Sequence, residues 1–149
     1  MRAVIQRSAW SRVCVAGKQQ SETGPGLVVL LGIKKGDQIN DGKYLMNKII
    51  NLRIFEDENG KMNRSLADVN GEMMLISQFT LYADARKGRR PSFTDAEDPE
   101  EALSLFNQCV RYVAEQGVKV ATGVFGADMQ VSLINQGPCT ILLDSERQF

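Results

Sequence analysis

Residues 129–135 read as one strand and residues 139–144 as another, and the dipeptide Gly137-Pro138 stands where the two would join. Proline fixes φ and has no backbone N–H to give a sheet ladder. Inside a strand-like run it therefore marks a sheet edge, a bulge, or a cis bond that presents backbone to something else. This position keeps the C-terminal segment out of the middle of a sheet and makes chemistry by main-chain groups available there. The dipeptide is not diagnostic by itself, because Gly24-Pro25-Gly26 repeats it and reads as an ordinary turn before a strand.

The rest of the chain follows the same two periodicities. Residues 1–8, 12–16 and 26–33 read as strands, the last a continuous apolar run of the buried kind. Residues 37–51 read as a helix with Tyr44, Leu45, Ile49 and Leu52 near helical spacing, behind caps at Asp37, Asn40 or Asp41. Residues 52–56 return as a strand, and Asn59-Gly60 predicts a type I′ hairpin. Asp57, Asn59 and Gly60 also hint at a calcium loop, but Lys61 stands where an oxygen ligand is needed. Residues 71–81 read as a strand. A second helix opens with Asp98 as cap, Pro99 at the first position and Glu101 in a capping-box-like spacing, carries the stripe Leu103, Phe106, Val110 and Val113, and stops at Gly117. Residues 118–124 read as a further strand. The sum is one strand-rich α/β domain over residues 1–149, with two main helices against a two-layered sheet.

Composition excludes several chemistries. The chain has no histidine, which removes the usual general base, proton shuttle and metal ligand together. The three cysteines, Cys14, Cys109 and Cys139, form no C-x-x-C pair, so neither a disulfide framework nor a zinc site is expected. Cys14 and Cys109 read as core filler and Cys139 as strand packing. No cofactor is expected. Formal charge is zero, with eighteen basic and eighteen acidic side chains, so any nucleic-acid contact must be local. The one dense basic cluster is Arg86-Lys87-Gly88-Arg89-Arg90, whose guanidinium forks and glycine suit phosphate as well as a solvated loop. The longest apolar run, residues 27–33, is far short of the ~20 residues of a membrane helix. No secretory leader is visible, so the expected location is the cytoplasm.

Two segments carry candidate chemistry. Ser77-Gln78-Phe79-Thr80 ends a strand with two hydroxyls and an amide around one aromatic ring, a pattern that also serves plain turns. The other is Asn135-Gln136-Gly137-Pro138-Cys139-Thr140. With its flanks, residues 77–84, Arg90-Pro91-Ser92-Phe93 and residues 135–140, the chain resembles the D-aminoacyl-tRNA deacylases. The likeness extends in order through residues 3–7, Gly24-Pro25-Gly26-Leu27, Leu52-Arg53-Ile54-Phe55, Gly60-Lys61-Met62-Asn63 and residues 122–129. The departures are residues 8–11 with Trp10, and Cys139 inside the Gly-Pro motif.

The resemblance implies hydrolysis of the ester joining a D-amino acid, or mischarged glycine, to the terminal adenosine of tRNA. It implies a three-layer β/β/α homodimer with no membrane association, in which a cis Gly137-Pro138 bond enters the active site of the other subunit. Gly137 and Pro138 would then hold the chiral selector, supported by Arg7 and facing Ser77, Gln78, Phe79 and Thr80 of the partner subunit, with Met129 lining the same region. Water activated by the 2′-hydroxyl of the terminal ribose would attack, backbone N–H groups around Phe79 would hold the oxyanion, and Thr80 and Gln78 would position substrate. Two other classes stay open on the residues alone: a Ser/Thr-type esterase or amidase acting on small D-amino acid derivatives without RNA, and a tRNA-binding module without activity. Zero net charge weighs against the second.

Overall fold

The computed structural model describes residues 1–148. Strand β1 (Arg2–Val15) organises it: its first half pairs antiparallel with β3 (Gly26–Gly32), its second half with β2 (Lys18–Thr23), and β8 (Met129–Asp144) runs antiparallel along its other side. β3 pairs in parallel with β6 (Glu72–Ser77), and β6 in parallel with β7 (Val120–Thr122). A small separate hairpin joins β4 (Phe55–Glu56) to β5 (Met62–Arg64).

Period-two alternation sorts the side chains of this sheet onto two faces. Ala3, Ile5, Leu27, Val29, Leu31, Met73 and Leu75 are buried with helices α1 (Ile39–Ile50) and α2 (Pro99–Glu115), which contribute Leu45, Met46, Ile49, Phe106, Cys109 and Val113. Val28, Met74 and Ile76 face the other way and pack on Val13, Met129, Val131 and Leu133. The second half of β1 and the first half of β8 therefore fold back over the sheet, and strands, sheet and helices stack as three layers. The strand-rich α/β expectation with two main helices holds.

Several local expectations change. Residues 1–8 and 12–16 belong to one strand, because the break between them is a register shift rather than a turn. β2 carries no apolar alternation: its polar sequence, KQQSET, lies at an exposed edge where none is demanded. β6 stops at Ser77, and the chain enters a 3-10 turn, Phe79–Tyr82, with only Tyr82 buried. The hairpin at residues 57–61 is not type I′: Gly60 has φ +72°, whereas Asn59 is not left-handed, and the Asp57 carboxylate accepts from the N–H groups of Asn59 and Lys61. In α2 the buried stripe is Ala102, Phe106, Cys109 and Val113, one residue off the expected phase at its start, so Leu103 is 39% exposed. Cys14 is only half-buried, on the strand's outward side, and not core. Cys109 is fully buried, and desolvation pushes its thiol up to about 12, which keeps it protonated and inert.

Helix α1 is not capped by Asp37. Gln38 stands at the cap, with its N–H donating to the Asp41 carboxylate at 2.8 Å. Asp37 accepts instead from the Met1 ammonium (2.8 Å) and the Lys34 N–H (2.7 Å), while Ser145 Oγ lies 2.6 Å from the same ammonium. This buried cluster ties the start of β1, the entry to α1 and the residues after β8 to one point.

Candidate active site

The end of β6 builds one half of the site. Gln78 N–H still donates to Leu31 O at 2.8 Å, so Ser77 and Gln78 are held by the sheet before the chain turns. The turn is pinned by Arg2 at the start of β1, whose Nη1 donates to Leu81 O at 3.2 Å and whose guanidinium lies 4.7 Å from the centre of the Tyr82 ring. Arg2 is itself held by the buried Asp144 at 3.1 Å. The result presents Phe79 and Thr80 to solvent, with Gln78 Nε2 donating to Thr80 Oγ1. In a 3-10 turn the first N–H groups lie outside the internal ladder, which places those of Phe79 and Thr80 at the exposed end. Phe79 meets Phe93 edge-to-face, with centroids 5.2 Å apart at 68°.

A cavity of about 600 Å³ lies against this turn, lined by Ser77, Gln78, Phe79 and Met129 together with Phe125, Val131, Lys35, Glu97 and Asp128. The structure thus brings four of the expected site residues to one concavity. Phe125 and Asp128 were not singled out by sequence; they sit on the segment between β7 and β8, beside Met129, and nothing local marks them.

The other half lies on β8. Gln6 pairs with Thr140 and Ser8 with Asn135, so the four residues 136–139 stand opposite Arg7 alone. This large bulge is nailed down at its base. Arg7 is 5% exposed, its Nε donates to Gln136 O at 3.0 Å and its Nη1 to Ile54 O at 2.7 Å. Asn135 Oδ1 accepts from Cys139 N–H at 3.0 Å, closing the loop on itself. Gly137 and Pro138 project from it, exposed. Gly137 has φ +121°, a region that favours glycine, and a Cβ there would overlap the Arg7 guanidinium.

Two expectations are corrected at this motif. The strand is not interrupted, since β8 runs through the dipeptide as one bulged edge strand. Nor is the Gly137–Pro138 bond cis, for no peptide bond among the described residues is. The X–Pro bond favours trans by ~0.5–1 kcal/mol, and the positive φ of Gly137 lets the chain make its excursion without leaving that state.

Within one chain the two halves do not meet. Reading across the ladders, Gly137 stands beside Arg7, which aligns with Leu27 and so with Met73, whereas the cavity begins on this strand at Ile76. From β8 to β6 is three strand spacings, roughly 14 Å, with three residues, roughly 10 Å, of offset along the strand. Arg7, Gly137 and Pro138 do not line the cavity, and neither does Thr80, which stands exposed beside Phe79.

A basic loop flanks the turn. Asp84 and Ser92 exchange backbone hydrogen bonds at 2.8 and 2.9 Å, closing residues 84–92. Arg86 grips Asp84 through two nitrogens, and these hydrogen bonds hold the Asp84 carboxyl well below the usual carboxylate range. Lys87, Arg89 and Arg90 are exposed and have no ion-pair partner among the described residues. No group of three His, Cys, Asp or Glu among the described residues is placed to hold a metal, and no helix there is long and apolar enough to cross a membrane.

In sequence and in fold the chain is similar to known proteins. The family model for D-Tyr-tRNA(Tyr) deacylase matches residues 4–144. A D-aminoacyl-tRNA deacylase of Syntrophomonas wolfei subsp. wolfei is 62% identical over 149 residues, all of both chains, and one of Thermosipho africanus is 56% identical over the same span. Among solved structures, the c-Myc DNA Unwinding Element Binding Protein superposes with a TM-score of 0.91 at 39% identity, covering 97% of this chain and 98% of that one. A probable eukaryotic D-amino acid tRNA deacylase superposes at 0.81 over 95% of this chain and 97% of that one, with 16% identity, a likeness of fold alone. The chain belongs to the D-Tyr-tRNA(Tyr) deacylase family.

Proposed function

We propose that this protein is a hydrolase that cleaves the ester of D-aminoacyl-tRNA, and of glycine mischarged on tRNA, using Gly137 and Pro138 of one subunit to complete the cavity of a second. The observation that carries the reading is the Arg7-anchored bulge: main-chain groups held rigidly on an exposed edge, yet out of reach of the cavity in their own chain. A homodimer supplies the missing approach. β8 is a long edge strand with Ile134 58% and Leu142 53% exposed, the kind of edge that pairs with another chain.

Selection then works by exclusion. Carbonyls at the bulge would accept from the substrate ammonium and leave no space for the side chain of an L-residue, while glycine, having none, passes. Rejection by ~10⁴ requires about 5.5 kcal/mol, a difference that a clash with anchored backbone can supply and attraction in a pocket rarely does. The test is deacylation of matched D-, L- and glycyl-tRNA. Cleavage of the D- and glycyl-forms with the L-form spared is expected; comparable D and L rates would refute the reading.

Hydrolysis proceeds by water, with the ribose 2′-hydroxyl assisting and the N–H groups of Phe79 and Thr80 receiving the oxyanion. Ser77 and Gln78 are part of the cavity wall, Met129 closes it from the layer above, and Thr80 positions substrate. The partner of the Thr80 hydroxyl is an amide N–H, which cannot take its proton, and no histidine exists to do so. This also weighs against a conventional Ser/Thr esterase acting on small D-amino acid derivatives. Thr80→Ala should lower kcat/KM about tenfold, the equivalent of one lost hydrogen bond, without abolishing turnover. A covalent ester trapped on Thr80 and seen by mass spectrometry would reverse the assignment.

The free cations of the 86–90 loop fit tRNA phosphates. Arg89→Ala should weaken binding to every tRNA alike and reduce the slope of log affinity against log salt by about one. An unchanged slope returns the loop to solvent.

A further inference from the structure

The cavity at the turn holds about 600 Å³, within the ~300–1,000 Å³ that encloses one small molecule. It has room for a terminal aminoacyl nucleoside and not for the nucleotides joined to it, which must cross the rim. Two aromatic rings stand at that rim. Phe79 is 57% exposed and Phe93 38%, and their edge-to-face contact leaves ring surface open to solvent. The chain reaches Phe93 directly from the closed loop that carries Lys87, Arg89 and Arg90. Two nearby carboxylates are engaged, Asp84 by Arg86 and Glu97 by the N–H groups of Gly36 and Asp98, while Asp95, two positions past Phe93, is exposed. Open ring faces beside free cations are the combination that holds single-stranded nucleic acid, with bases on the rings and phosphates on the cations.

We propose that Phe93, braced edge-on by Phe79 and flanked by the 86–90 loop, binds the unpaired nucleotides that precede the terminal adenosine of tRNA, the base next to the terminal one stacking on the Phe93 ring. The proposal rests on the deacylase reading, and its test separates the two. Each enzyme is given D-aminoacyl-tRNA and, in parallel, the D-aminoacyl ester of adenosine alone. In Phe93→Leu, which keeps an apolar contact to Phe79 and loses the ring face, the ratio of kcat/KM for tRNA over the adenosine ester should fall about tenfold. Phe93→Tyr should restore it. Affinity for an uncharged single-stranded RNA ending in CCA should fall by a similar factor in Phe93→Leu. An unchanged ratio with unchanged RNA affinity overturns the proposal. So does a loss of dimer in Phe93→Leu by sedimentation, which would assign the rings to subunit contact. If the wild type cleaves neither substrate, the deacylase reading falls, and the RNA-binding arm still decides whether this rim holds nucleic acid.

Discussion

Gly137→Ala is expected to lower kcat/KM on D-aminoacyl-tRNA by roughly a hundredfold, equivalent to about 2.7 kcal/mol. Two costs meet at this residue. Its φ of +121° lies where an L side chain is strained, a penalty of about 1–3 kcal/mol at such positions. The new Cβ would also overlap the Arg7 guanidinium. Arg7 cannot yield easily, because it is buried and its Nε and Nη1 are committed to Gln136 O and Ile54 O, which fix the guanidinium plane and with it Nη2, the atom the Cβ would meet. The displaced group is therefore the exposed backbone of the bulge, the part assigned to substrate selection. Pro138→Ala places nothing against Arg7 and should cost less. Matched D- and L-tRNA assays, with thermal denaturation to confirm a folded protein, measure both variants. Wild-type rates and wild-type D/L discrimination in Gly137→Ala would remove this bulge from the mechanism.

Asp37→Ala should be the most destabilising single change in the helix layer. The Met1 ammonium is fully buried and the Asp37 side chain 6% exposed, with 2.8 Å between them. Removing one partner of a buried pair leaves the other charged and unpaired, at about 3–5 kcal/mol. For a chain of this size, that corresponds to a fall in Tm of about 10 °C. The loss is larger than a surface pair would produce because Asp37 also accepts from Lys34 N–H at the approach to α1. Urea and thermal midpoints check it, and an unchanged midpoint would show that water replaces the carboxylate at no cost. Deacylation is measured below the transition as well, because Asp37 acts electrostatically on Tyr82 at the end of the turn and Met1 precedes the Arg2 that pins it.

Much of the core was legible in the chain itself. The continuous apolar run that became β3 and the alternation of β1 declare their structure over a few neighbouring residues, because burial demands a period of two. Pro99 and the apolar spacing of α2 declare a helix for the same local reason, and the absence of histidine bounded the chemistry before any geometry existed. The Gly-Pro dipeptide announced an edge or bulge, and it lies in both: β8 is an edge strand and the dipeptide sits in its bulge.

What the chain could not announce depends on residues far apart in it. Whether Phe79–Tyr82 continues β6 or turns away is decided where the sheet ends and by Arg2, about eighty positions upstream, holding Leu81 O. Asp37 resembles a helix cap by composition, yet the Met1 ammonium claims it once β1 and α1 are packed together. β2 has no apolar periodicity because an exposed edge asks for none; pairing to β1 alone makes it a strand. The projection of the bulge follows from a ladder that sets four residues of β8 against one of β1, with a buried arginine between them. Local sequence encodes burial and backbone preference. Register, and the contacts between residues some 129 positions apart that fix the bulge, arise only when strands are laid side by side.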